Sequence, residues 1–168
     1  MATEVISFSK EELEGIEVPH DDPLIISPLI ANFLVARILV GTESSANILY
    51  LVAYDRLGLP RNLMKPACTP LIRLTGHSIY PVGIPELDFT VGETPRTSMI
   101  RASFTMDDIS DPAYNGLIGR PILTALRAIV SPIHLKMKFP TTGGLGEVTS
   151  DQKRARFVTN YQSPEGHR

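Results

Sequence analysis

The chain has a single cysteine, Cys68, among 168 residues. One thiol forms no internal disulfide and excludes a cysteine-rich metal site, so Cys68 reads as an indifferent or buried thiol rather than a nucleophile. There is no basic excess, because the formal net charge is −2. Nothing in that balance points to nucleic acid as a partner. No uncharged apolar run approaches the roughly 18 residues of a membrane span. The first residues, "MATEVISFSKEELEGIEVPHDDP", are acidic, whereas a secretory signal has a basic start and an apolar stretch. The expectation is a cytoplasmic chain with no membrane partner, no metal and no cofactor.

Proline and apolar residues are plentiful. Apolar residues make up 43%, enough for a core and too many for global disorder. The 14 prolines are scattered, among them Pro19, Pro23, Pro28, Pro60, Pro66, Pro70, Pro81 and Pro85. They forbid long helices through most of the chain and leave short strands and turns.

Residues 1–22 carry Glu11, Glu12, Glu14, Glu17, Asp21 and Asp22 and read as a solvated acidic lead-in with at most one helical turn. "PLIISPLIANFLVARILV" is apolar with a break at Ala31-Asn32, which predicts a hairpin of two strands over about 24–30 and 34–40. In "NILYLVAYDRLG", Leu49, Val52, Ala53 and Leu57 fall at helical spacing. Asn47 is the candidate cap and Gly58 the stop. "TPLIRLTGHSIYPVGIPELDFTVGETPRTSMIRASFTM" reads as a β-meander with turns at Thr75–Ser78 and Gly92–Pro95. "AYNGLIGRPILTALRAIVS" predicts a short strand, Gly119, and a helix over about 121–129 with Pro121 in its first turn. Ile133–Pro140 alternates and predicts a half-buried strand. Residues 150–168 read as a poorly ordered polar and basic tail. Within it, Lys153–Arg156 is a solvated run rather than a nucleic-acid arm.

An apolar strand leading into a small-residue loop and a helix occurs early, as "RILVGTESSANILY". An apolar pair, a glycine, Arg-Pro and a second helix occur late, as "LIGRP". Together with "AYDRLGL", "PLIRLTGHSIYPVG", "AYNGLIGRPILTALRAIVSPIHLKMKFPT" and "GLGEV", this order resembles the retropepsin-like aspartic protease domains of plant gypsy-type long-terminal-repeat retrotransposons. The resemblance spans nearly the whole chain and places the domain at 23–149. It implies a mostly β fold, a small closed barrel with two short helices. It also implies a homodimer in which each subunit contributes one Asp-Thr/Ser-Gly loop and a hairpin flap closes over an extended peptide. The flap would be Gly76, His77 and Ser78, and the second loop Leu117, Ile118, Gly119 and Arg120. Two adjacent carboxylates share one proton and activate a water. Aspartic proteases are the standard example of that pairing.

The loop departs from the pattern. Where the family reads Asp-Thr/Ser-Gly-Ser-Ser-Ala-Asp, this chain reads Gly41-Thr42-Glu43-Ser44-Ser45-Ala46-Asn47. Gly41 supplies no acid or base, and twofold symmetry removes both carboxylates at once. Glu43 stands where a tight turn favours glycine and starts from a different backbone point. Asp55, Asp107, Asp108 and Asp111 are not at the end of the loop-bearing strand. Thr42 and Ser44 lack a spaced His and Asp, since His20, His77, His134 and His167 are scattered. His77 at the flap tip reads as a solvated turn residue. The expectation is a catalytically inactive retropepsin-like domain. The alternatives are an active endopeptidase using an unexpected acid, or a non-enzymatic module that binds an extended peptide or dimerises.

Overall fold

The computed structural model describes residues 5–17, 21–67, 70–72, 78–79, 81–109 and 112–150. The first hairpin turns at Ala31 and Asn32, both with positive φ (51° and 67°), as a two-residue hairpin turn requires. Its strands are β1 (Ile25–Ile26), β2 (Leu29–Ile30), β3 (Phe33–Leu34) and β4 (Ile38–Val40). Leu29 pairs with Leu34 near the turn, and Ile26 pairs with Ile38 at the base. The returning strand therefore carries one more residue than its partner between those pairs. That extra residue is a bulge, with Arg37 at φ 57°. Each of the two expected strands is thus split, and the hairpin bends between two sheets.

The remaining elements are β5 (Ile48–Tyr50), α1 (Leu51–Arg56), β6 (Leu71–Ile72), β7 (Ser78–Ile79), β8 (Glu86–Glu93), β9 (Arg96–Ser103), β10 (Thr105–Asp107) and β11 (Gly116–Ile118). They are followed by α2 (Arg120–Leu126), β12 (Ile129–Ser131), β13 (Lys136–Thr141) and β14 (Gly144–Thr149). The described residues are mostly β with two short helices. They form a five-stranded sheet in the order β1-β4-β11-β5-β10 and a four-stranded sheet β3-β2-β8-β9. A three-stranded sheet β12-β13-β14 and the pair β6-β7 complete the set. Among the described residues no sheet closes on itself, so the expected closed barrel is corrected to open sheets sharing one core. The bulge re-aims the first hairpin instead of continuing one ladder. The sheets then meet through side chains such as Ile30, Phe89, Phe104, Met106, Met137 and Phe139, all fully or almost fully buried.

Several expected boundaries move. The helix does not start at Asn47, because Ile48–Tyr50 are taken up by pairing with β10 and β11, and α1 begins at Leu51. The second helix ends at Leu126, where Arg127 turns left-handed (φ 56°), and the β-branched Ile129 and Val130 pair with β13. The expected strand at Ile133 starts instead at Lys136, since Leu135 is in a left-handed turn (φ 51°). The long hairpin β8–β9 turns at Thr94-Pro95, with Glu93 opposite Arg96, inside the expected turn. The lead-in has its one helical turn, a 3-10 turn at Glu11–Leu13, but is docked on β13 rather than solvated along its length. Ser150 still belongs to the body. It is buried, and its hydroxyl accepts the Ile25 N–H at 2.9 Å. The tail at 151–168 and the Thr75–His77 tip lie outside the described residues. No helix among the described residues is long and apolar enough to cross a membrane.

Candidate functional site at the end of β4

β4 runs parallel to β11, with Leu39 opposite Leu117 and Val40 opposite Ile118. The Gly41 N–H continues that ladder by donating to the Ile118 carbonyl at 2.9 Å. Residues 78 positions apart in sequence are thereby fixed side by side. The loop after Gly41 is held by its own polar atoms. The Ser44 N–H donates to the Gly41 carbonyl (3.1 Å), and the Ser44 hydroxyl donates to the Ala46 carbonyl (2.7 Å). The Arg120 N–H at the head of α2 donates to the Ser44 carbonyl (2.9 Å) and ties the two loops together. The structure thus brings Gly41–Ser45 and Leu117–Arg120 into one cluster.

Asn47 locks that cluster. Its side chain is 3% exposed. Its carboxamide oxygen accepts the Gly119 N–H at 2.9 Å, and its nitrogen donates to the Ser103 carbonyl at 3.1 Å. A buried amide with both ends paired stabilises the join, whereas leaving either end unpaired is costly. The expected helix cap is therefore a tie between β11, α2 and the end of β9. A polar amide placed between small residues and the apolar Ile48-Leu49-Tyr50 is the sequence signal for it. Gly119 is required at its position, because a Cβ there would lie 2.3 Å from the Ala46 carbonyl oxygen and 2.8 Å from that of Ser44.

Thr42, Glu43 and Ser45 are exposed, Ser44 is half-buried, and Arg120 is exposed. Leu117 and Ile118 are buried strand residues. Within residues 41–47 the one ionisable side chain is that of Glu43. Gly41 has no side chain, and the space beside its Cα is filled by Leu117, whose Cδ1, Cγ and Cδ2 lie 3.0, 3.2 and 3.3 Å from where a Cβ would be. Of the expected flap residues, Gly76 and His77 lie outside the described residues, and Ser78 is in β7, opposite Ile72. Among the described residues no group of three or more His, Cys, Asp or Glu could hold a metal ion.

No protein-family model and no curated protein matches the sequence. Solved structures do match. The retroviral protease-like domain of Ddi1 from Leishmania major superposes with a TM-score of 0.56 at 15% identity, over 77% of this chain and 96% of that domain. The fold is that of a retropepsin-like domain. EIAV protease in complex with an inhibitor (TM-score 0.45, 20% identity, 68% of this chain and 97% of that one) is also similar. So is a retropepsin-like aspartic protease from Rickettsia conorii (TM-score 0.42, 12% identity, 73% and 76%). In this retropepsin-like fold, β4 and β11 carry the two clustered loops, and Gly41 stands first in the loop that follows β4.

Proposed function

We propose that the chain is a retropepsin-like aspartic protease domain derived from a plant gypsy-type retrotransposon, and that it does not hydrolyse peptides because Gly41 occupies the catalytic acid position. The observation that carries this reading is the site of Gly41. It continues the β4–β11 ladder at the mouth of the loop cluster, it has no carboxylate, and a side chain there would need Leu117 to give by a few tenths of an ångström. The retropepsin-like fold supports the domain type. In a twofold homodimer both loops would bring glycine, so no proton-sharing pair forms. General acid and general base groups each contribute about 10²–10⁴-fold in rate. Glu43 is exposed and two residues removed, and in this reading it is a surface acid.

The test is a cleavage assay on the purified chain at acidic and neutral pH, beside a Gly41→Asp/Glu43→Gly variant. No cleavage is expected from the unmodified chain, and some acid-optimum cleavage from the variant. Cleavage by the unmodified chain that Glu43→Gln abolishes would overturn the reading and make Glu43 the catalytic acid. The reading also includes a homodimer, because half-sites of this kind form one cleft only as a pair sharing one self-complementary surface. A purely monomeric sedimentation profile at high micromolar concentration would remove that part.

A further inference from the structure

The N-terminal segment is attached to the body by side chains rather than by a strand ladder. The backbone hydrogen bonds donated by Glu12, Leu13, Glu14 and Ile16 are all local, each to the residue three positions earlier. No residue of 7–16 is fully buried. Gly15, with φ 84°, breaks the run just after the 3-10 turn. A cleft of about 450 Å³ remains between Glu11, Glu14 and Ile16 of the segment and Leu135, Lys136 and Ser150 of the body.

The attachments are specific and come from one small surface. Lys138 Nζ donates to the Ser7 carbonyl at 2.7 Å and to the Glu12 carboxylate at 2.9 Å. Lys136 Nζ reaches the same carboxylate at 3.2 Å and also pairs with Glu147 at 3.3 Å. The Phe8 ring lies 5.3 Å from the His134 ring, with Lys138 Nζ 4.7 Å from the Phe8 centroid. His134 Nε2 lies 2.7 Å from the Ser9 carbonyl, which can only accept. That nitrogen therefore carries the proton, and in the neutral ring Nδ1 accepts from the Ser131 hydroxyl at 2.6 Å. Two anchors four residues apart, an aromatic ring and a carboxylate, are thus read by His134, Lys136 and Lys138. The carbonyls on either side of the aromatic residue serve as sequence-independent grips. With the segment in place the two lysine side chains are only 16% and 12% exposed. Displacing it would leave two ammonium groups on one sheet face with Glu147 as the remaining acid partner among those just described.

We propose that the outer face of β13, together with the Ser131–His134 turn, is a peptide-recognition surface, and that residues 7–12 fill it in cis as a displaceable ligand. The partner it fits is a peptide segment with an aromatic side chain followed four residues later by a carboxylate. Phe8 and Glu12 show both contacts. The surface belongs to the β12-β13-β14 sheet and does not depend on what Gly41 does.

The test uses the full chain. Trypsin cleavage after Lys10 reports release of the segment, read as the mass of the freed piece. A synthetic peptide of residues 5–17 carrying Lys10→Gln, which trypsin does not cut at that site, is added in excess to the wild-type chain. It is expected to speed that cleavage about fivefold, through mass-action competition. The same peptide with Phe8→Ala or Glu12→Gln is expected to leave the rate unchanged. In a Phe8→Ala/Glu12→Gln chain the cis ligand is weakened, so a fluorescent peptide of residues 5–17 is expected to bind about tenfold more tightly than to wild type. Adding Lys138→Gln should abolish that binding. A concentration-dependent dimer that the free peptide dissolves would also support the surface, with a second copy as its partner. A cleavage rate that ignores the peptide, or equal binding by the two chains, would overturn the proposal. The wild-type cleavage experiment decides the matter even if the double variant fails to fold.

Discussion

Leu117 Cδ1 lies 3.0 Å from the point where a side chain on Gly41 would place its first carbon. Gly41 carries no side chain, and a neighbouring apolar group occupies the space next to it. Gly41 does not have a positive φ, so a substitution there meets a packing obstacle rather than a backbone one. Gly41→Ala is therefore expected to cost about 1 kcal/mol through overpacking. Leu117→Ala is expected to cost about 2–5 kcal/mol on its own. The double variant should be more stable than the sum of the two by about 0.5 kcal/mol or more, because residues in contact couple. Chemical denaturation of the four chains measures this, and strict additivity would show that Leu117 does not crowd position 41.

The same contact bears on the proposed Gly41→Asp/Glu43→Gly test. Gly41→Asp/Glu43→Gly must push Leu117 aside, whereas adding Leu117→Val removes part of the obstruction. Acid-optimum cleavage is expected to be higher in the triple variant than in the double, by about tenfold if the carboxylate is otherwise misplaced by a fraction of an ångström to 1 Å. Equal rates would mean that Leu117 moves freely.

Asn47→Leu should be among the most damaging single changes that leave the chain's charge unaltered. It strands the Gly119 N–H and the Ser103 carbonyl, both now paired with the buried amide. Each unsatisfied buried group costs about 1–3 kcal/mol, so a loss of about 2–5 kcal/mol is expected. Asn47→Asp keeps an acceptor for Gly119 but loses the donor to Ser103, and it should fall between wild type and Asn47→Leu. Thermal denaturation at neutral pH gives the ranking, and a near-neutral Asn47→Leu would refute the tie.

Gly119→Ala is expected to prevent stable folding or to cost more than about 3 kcal/mol, because the methyl would meet two carbonyl oxygens of the first loop, which are backbone and cannot rotate away. A folded protein with an unchanged melting temperature would contradict the close approach of the two loops.

Acid should loosen the N-terminal segment before it loosens the body. The Lys138 ammonium, then Lys136 and the Ser9 N–H, hold the Glu12 carboxyl down at about 2 instead of 4.5. A lowered folded-state pKa contributes stability that is fully present above the unfolded value and is lost as pH falls through the folded one. The contribution of Glu12 should therefore be constant from pH 7 to about 4.5 and disappear towards pH 2. The difference in melting temperature between wild type and Glu12→Gln, followed across that range, should shrink in the acid window. A difference that persists at pH 2 would show that the Glu12 charge is not what the lysines hold.

The sequence by itself is enough for the features that depend on near neighbours. Ala31-Asn32 is legible as a hairpin turn because the residues that make it are adjacent and Asn tolerates a left-handed backbone. The turn at Thr94-Pro95 and the helix with Pro121 near its start are legible for the same local reason. So is the absence of an acid at position 41, which needs only the reading of one residue between "RILV" and "SSANIL". Tertiary structure decided the rest. Asn47 reads locally as a helix cap, yet its partners are 56 and 72 residues away, and the pairing of residues 48–50 with β10 and β11 makes them a strand. The acidic lead-in reads as solvated because Lys136 and Lys138, which fix Glu12, lie 124 and 126 residues further on. Leu117 reads as an ordinary strand residue, and only the parallel pairing of β4 with β11 sets it over Gly41. The bulge at Arg37 turns the first hairpin from one sheet to another, and that turn is set by pairing with both sheets rather than by the local sequence.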